Sequence, residues 1–376
     1  MDQAVVIRPR FEPGRRIIAV SDVHGNLDFF RGLMDQVGLT PSDILVLVGD
    51  LLEKGPDSLA LLRYVMELSR THTVYPLCGN CDGLVLRFFD TDELDGRFYS
   101  AYLPIHPEST IRQLAEELGF STIDIAIAHP ETFPTALVKA ELAKTKLEVV
   151  TTTTLDAKTN LISPDEAIRK NGVEALKRLV DINKELGSTI LGGVNYAGWG
   201  CLSGKPKTDE EWNHSVEAMR EAARYAKETH PQLRICVEPV NRFETHFINT
   251  AKEGVRYCKA VGTGNMAVHL DCFHMIREET SYREAVEVCG KAYLGYVHVC
   301  ENNRGIPGTG LVPWEEFFTA LHDIGYEGPC VIESFDPSFE ELNANCAIWR
   351  KFADTGEELA VQGLANLKRI AAGLGV

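Results

Sequence analysis

From about residue 120 onward the chain repeats one rhythm: a short apolar run, a polar turn, then a helical pattern. Seven runs follow it: TIDIAIA, LEVVTTTT, STILGGVNY, RICVEPV, MAVHLD, YLGYVHV and CVIESF. The segments between them, such as PDEAIRKNGVEALKRLVDINKELG and DEEWNHSVEAMREAARYAKET, space their apolar residues for one face of a helix. Several open on a cap, as at Ser163-Pro164-Asp165, and several stop at a glycine, as at Gly187 and Gly325. Strands that alternate with helices run parallel, because each helix carries the chain back across the sheet. Seven units and a closing helical segment, GEELAVQGLANLKRIAAG, predict an α/β fold of the (β/α)8 barrel kind, whose usual size is ~250 residues. The eighth strand has to come from upstream, and RFYSAYL at residues 97–103, with IRQLAEELG as its helix, is the candidate.

Four of the runs end in a group that has no packing use on an apolar strand: Glu238, Asp271, His298 and Glu333. Barrel strands aim their carboxyl ends into one mouth, so these four side chains are expected to meet there. Three carboxylates and an imidazole form a hard, oxygen-rich set for a divalent cation. Plainer readings exist for each. The glutamates could be salt-bridged core acids, His298 a satisfied core histidine, and Asp271 a cap for the helix behind it. Three acids crowded at one mouth repel one another, however, and a cation removes that repulsion. His269 is assigned to core packing, since strand alternation turns it the same way as Asp271 but deeper.

At 376 residues the chain is longer than one barrel needs, which leaves room for a smaller domain in front. That first part runs RRIIAVSDVHGN, ILVLVGDLLEKGPDS and VYPLCGNCDG, three apolar strands separated by helical patterns. This is βαβαβ order and implies a parallel sheet. Asp22, His24, Asp50 and Asn80 fall at its strand ends, where open α/β sheets gather ligands. A formal net charge of -16 argues against nucleic acid as a partner. The ten cysteines show no zinc-knuckle spacing; Cys236, Cys300 and Cys330 sit in expected core strands, as reduced and buried thiols. No apolar stretch suits a signal peptide or approaches the ~20 residues of a membrane span, so a cytoplasmic protein without a membrane partner is expected.

The motifs DVH, GDxxxKGxDS and GNCD resemble the opening motifs of the calcineurin-like metallophosphoesterases. That resemblance implies a metal site of Asp22, His24, Asp50 and Asn80, and phosphoester hydrolysis as one alternative activity. It covers only part of such an enzyme. The Gly-His-x-His turn of the family's second half occurs nowhere in the chain, and His129, after IDIAIA, is followed by proline. The division expected is therefore a partial metallophosphoesterase-like segment at 1–110 and a barrel at 111–376.

VEPVNRFETHFINT (237–250), HLDCFHMIREE (269–279), HVCENNRGIPGTGLVPW (298–314) and VIESF (331–335) resemble the ketose 3-epimerases, enzymes of the D-tagatose and D-allulose (psicose) 3-epimerase kind. NLISPDEAIRK and GGVNYAGW extend the likeness. It implies a TIM barrel of the xylose-isomerase-like type and a divalent metal ion, manganese before cobalt or magnesium, on Glu238, Asp271, His298 and Glu333. The two glutamates would also be catalytic, moving the proton at C3. Glu244, His274, Arg304 and Trp199 match substrate-binding positions. A small-molecule ketose as substrate and a homo-oligomer, dimer or tetramer, are implied as well. Inverting a carbon beside a ketone means removing its hydrogen and returning one from the other face. A metal across the C2 and C3 oxygens stabilises the cis-enediolate between those steps, and two opposed carboxylates serve both directions. The same site could instead serve an aldose–ketose isomerase or a hydroxypyruvate-type isomerase.

Overall fold

The structure, a computed structural model, describes residues 14–51, 58–77, 119–335 and 346–375. Asn80, the strand candidate at 97–103 and the expected boundary at 110/111 lie outside those residues. The chain forms two compact units, Met1–Ala101 and Tyr102–Val376.

In the first unit three parallel strands, β1 (Ile17–Val20), β2 (Ile44–Val48) and β3 (Thr73–Leu77), pair in the order β1-β2-β3. Two helices, α1 (Leu27–Val37) and α2 (Ser58–Leu68), make the crossovers. Phe30 and Met34 of α1 and Leu61 and Val65 of α2 close over Leu45 and Leu47 of β2. This small core belongs to the unit alone. Asp43 fixes its entry: the carboxylate accepts from Arg16 Nε at 3.0 Å, Arg16 Nη2 at 2.7 Å and the Thr40 amide at 2.8 Å.

The second unit holds all seven strands expected from the apolar runs. They are β4 (Thr122–Ala126), β5 (Glu148–Leu155), β6 (Ile190–Gly198), β7 (Arg234–Val237), β8 (Met266–Asp271), β9 (Leu294–His298) and β10 (Cys330–Val331). They form one parallel sheet in chain order, with β4 and β10 at its ends. Helices α3 (Thr135–Leu142), α4 (Glu166–Leu186), α5 (Asp209–Thr229), α6 (Ala251–Val261), α7 (Cys272–Glu278), α8 (Tyr282–Tyr293), α9 (Trp314–Asp323) and α10 (Gly356–Leu374) follow the strands. The sheet is curled until β4 and β10 pass within 8 Å of each other, a barrel of seven strands among the described residues. No helix among them is long and apolar enough to cross a membrane.

Local signals act as read. Asp165 caps α4 by accepting from the Ala167 amide, and Gly187 ends it at φ 77. Thr208 and Glu211 form a reciprocal capping box at the start of α5. The barrel floor takes one residue from each of six strands: Val150, Ile190, Cys236, Ala267 and Tyr296 are buried together, with Val331 against them. Gly192 keeps that interior passable, since a Cβ there would stand 3.0 Å from the Tyr296 ring and 3.1 Å from His269 Nδ1. Cys236 and Cys300 are buried as expected. Cys330 is exposed, because β10 is an end strand that pairs only with β9 among the described residues.

Candidate metal and proton-transfer site

Glu238 follows β7, Asp271 ends β8, His298 ends β9 and Glu333 lies two residues past β10, so four neighbouring strands deliver four donors to one mouth. Asp271, His298 and Glu333 present donor atoms within 4.8 Å of one another, together with Cys300. His298 Nδ1 stands 3.1 Å from Glu333 Oε2 and 3.7 Å from Asp271 Oδ2. Glu238 joins through two overlapping groups, one with His269 and His298 and one with Asp271 and His274. Glu238, Asp271 and His298 are buried, and Glu333 is partly open. The structure thus brings together all four residues expected as ligands.

The electrostatics show why a cation suits the place. Burial first, and then the neighbouring Asp271 carboxylate, push Glu238 well above the usual carboxylate range. For Glu333 burial acts in the same direction, but Arg304 and His298 outweigh it and hold the carboxyl at about 2. Burial alone would lower the His298 imidazole; Glu333, Asp124 and Asp271 instead hold it well above its ordinary value. Carboxylates competing for every available positive charge are what a divalent cation would satisfy. Three oxygens and one nitrogen as donors fit manganese, magnesium or cobalt.

The residues expected to touch substrate surround this set. His274 is buried, with Nε2 3.7 Å from Glu238 Oε1 and 3.8 Å from Asp271 Oδ2. The Asn241 amide donates to its Nδ1 at 3.2 Å, and burial lowers its pKa, so the neutral ring carries its proton on Nε2, towards the mouth. Glu244 is held by Trp199 Nε1 at 2.7 Å and Asn241 Nδ2 at 2.7 Å. Trp199 therefore orients Glu244. Arg304, in left-handed backbone at φ 62, lies over the Phe273 ring at 4.1 Å. Its Nη1 donates to Asp271 Oδ2 at 2.9 Å and to Glu333 Oε2 at 2.5 Å.

Two residues matter more than their sequence context suggests. Asp124, in the middle of β4, reaches His298: its Oδ2 accepts from Tyr296 Oη at 2.6 Å and lies 3.0 Å from His298 Nε2. Thr152 Oγ1 donates to the other carboxylate oxygen at 3.0 Å. This leaves Nδ1 as the nitrogen that faces Glu333 and Asp271. A lone acid inside the apolar run TIDIAIA was the one signal available. His269 does pack in the core, against Tyr296 and His298, but it also stands 3.6 Å from Glu238 Oε2.

In the first unit Asp22, His24 and Asp50 bring donors within 4.8 Å of one another, and all three adopt positive φ, at 55, 46 and 51°. Backbone strain of this kind gathers at ligand-holding turns. Backbone bonds from the His24 amide to Asp50 O and from the Gly25 amide to Leu51 O lock the two turns together. These donors fit one cation. His129 is exposed and turned to Glu131 at 3.5 Å, and the chain has no Gly-His-x-His with which to build the rest of a two-metal centre.

Known proteins share the fold of this chain. The family model for the xylose isomerase-like TIM barrel matches residues 112–370, and that for the calcineurin-like phosphoesterase matches residues 15–182, overlapping the first barrel units. A D-psicose 3-epimerase of Ruminiclostridium cellulolyticum is 36% identical over 272 residues, 69% of this chain and 90% of that protein. An L-ribulose 3-epimerase of Methylomonas sp. is 35% identical over 257 residues, 68% and 88% of the two chains. The crystal structure of a D-allulose 3-epimerase from Methylomonas sp. with D-allulose superposes with a TM-score of 0.66 at 34% identity, covering 70% of this chain and 90% of that one. With its barrel matched over most of the length of such relatives, the chain belongs to the xylose isomerase-like TIM-barrel family and, within it, to the ketose 3-epimerases.

Proposed function

We propose that this protein inverts C3 of a free ketose, of the D-allulose or L-ribulose class, with a divalent cation (manganese first) on Glu238, Asp271, His298 and Glu333. The observation that carries the reading is the convergence of those four side chains from the carboxyl ends of β7, β8, β9 and β10. A divalent cation bound there would polarise the C2 carbonyl and the C3 hydroxyl, making the C3 proton acidic enough for a carboxylate to remove.

This chain's own residues do the rest. Glu238 and Glu333 come from the two outer strands of the four, so they flank the donor set and can take a proton on one face and return one on the other. His274, with Nε2–H towards the mouth, donates to the C2 oxygen. Arg304 places a permanent positive charge beside the negative charge that develops on O2 and O3. Glu244, held by Trp199 and Asn241, accepts from a sugar hydroxyl.

The test is exchange in heavy water. Purified protein with manganese, incubated with D-fructose, D-allulose, D-tagatose or L-ribulose, should yield the C3 epimer carrying one deuterium at C3, and a chelator should stop it. Glu238→Gln and Glu333→Gln should each lower kcat by roughly 10²–10⁴-fold. Aldoses as the sole products would overturn epimerisation in favour of the aldose–ketose reaction on the same site.

A further inference from the structure

Cys300 lies two residues beyond His298, at the start of the loop that carries Arg304. Its thiol is fully buried, and its Sγ lies within 4.8 Å of donor atoms from Asp271, His298 and Glu333. A positively charged atom marks the same spot. Arg304 Nη1 is 3.0 Å from Cys300 Sγ, 2.9 Å from Asp271 Oδ2 and 2.5 Å from Glu333 Oε2, so a thiol and two carboxylates converge on one cationic nitrogen. An independent feature lies alongside. His269 is wholly buried with neither ring nitrogen hydrogen-bonded, and it shares a donor group with Glu238 and His298. Leaving a buried imidazole unpaired is costly. The mouth therefore offers more ligand atoms than the four-residue set uses.

We propose that Asp271, His298, Cys300 and Glu333 form a second, softer metal site, which takes a thiophilic dication such as zinc and competes with the set that includes Glu238. The inference rests on the epimerase reading and adds a mode of inhibition to it. The two sets share three ligands and differ in the fourth, a carboxylate in one and a sulfur in the other. Three oxygens and a nitrogen suit manganese or magnesium. Two oxygens, a nitrogen and a sulfur suit tetrahedral zinc, which also binds protein donors more tightly than manganese does. On coordination the thiol proton leaves to solvent and the sulfur–metal bond takes its place. A cation drawn to Cys300 is drawn away from Glu238, so one of the two proton-carrying glutamates is left unattached and turnover stops.

Cobalt(II) is the probe, because sulfur ligation gives a near-ultraviolet charge-transfer band that oxygen and nitrogen ligands do not. The full-length protein titrated with cobalt should develop that band. Cys300→Ser and Cys300→Ala should bind cobalt, by equilibrium dialysis, without it. In a manganese-supported assay zinc should inhibit both variants at least about 10-fold more weakly than the parent, since losing a direct ligand costs no less than losing an outer-shell partner of one. Identical cobalt spectra in parent and variants, or identical zinc inhibition, overturns the site. A sulfur band in a protein that fails to epimerise would sink the reaction proposed above and leave this site standing.

Discussion

At the scale of single residues, the His298 ring is set by its partner on the far side. A metal-bound imidazole needs one nitrogen bare and the other tied down, and a carboxylate is the usual tie. Asp124 stands in that position behind His298, and Tyr296 and Thr152 hold Asp124 from two sides. Asp124→Ala should weaken manganese binding by about 10–100-fold, measured by the free Mn²⁺ electron paramagnetic resonance signal, with much of the activity returning at saturating metal. Tyr296→Phe removes one donor to the same carboxylate and should cost less. An unaltered manganese affinity in Asp124→Ala would show that His298 needs no such tether.

At the scale of elements, the barrel is legible because parallel strands are covered on both faces and so read as unbroken apolar runs. β6, β8 and β9 are buried at every position, and their sequences show it. The four candidate ligands are legible for the converse reason: polar groups at the ends of such runs stand out from the apolar pattern, although Asp271 also caps α7 by accepting from the Phe273 amide. Asp124 is not legible in that way, because its partner Tyr296 is 172 residues distant and no spacing rule connects them. His269 sits one alternation below Asp271, so its burial follows from the pattern, but its closeness to Glu238 depends on barrel curvature. In the first unit Asp43 belongs to a turn and ties β1 to the end of α1 through Arg16, which also donates to Val37 O and Gly38 O. The Arg16 hydrogen bond, with that of the Thr40 amide, holds the Asp43 carboxyl well below its ordinary value. A folded-state pKa below the unfolded one stabilises above the unfolded pKa, near ~3.9, and that stability is lost as pH falls through the folded value. Asp43→Asn should therefore lower the midpoint of denaturant unfolding at pH 7. The gap to the parent should narrow as the pH is taken below about 4; a gap independent of pH would mean that the charge on Asp43 contributes nothing.

At the scale of the whole molecule, two units with separate cores should respond separately to a ligand that only one of them binds tightly. A cation that binds the folded barrel and not the unfolded chain raises its stability by RT ln(1 + [L]/Kd), about 2.7 kcal/mol at a hundredfold excess over Kd. For a unit of this size each kcal/mol moves the midpoint by about 2–4 °C, so a shift of roughly 5–10 °C is expected in scanning calorimetry. Donor identity then assigns the shift. Glu238→Gln should remove most of it, since that variant removes one of the four proposed ligands at the barrel mouth. Asp50→Asn should leave it in place, since that residue belongs to the turn cluster of the first unit. Manganese protection that survives Glu238→Gln but vanishes in Asp50→Asn would place the tight cation in the phosphoesterase-like unit instead. The barrel's strand-end carboxylates would then be held together by Arg304 and His298 alone, through the bonds of Arg304 to Asp271 and Glu333 and of His298 to Glu333.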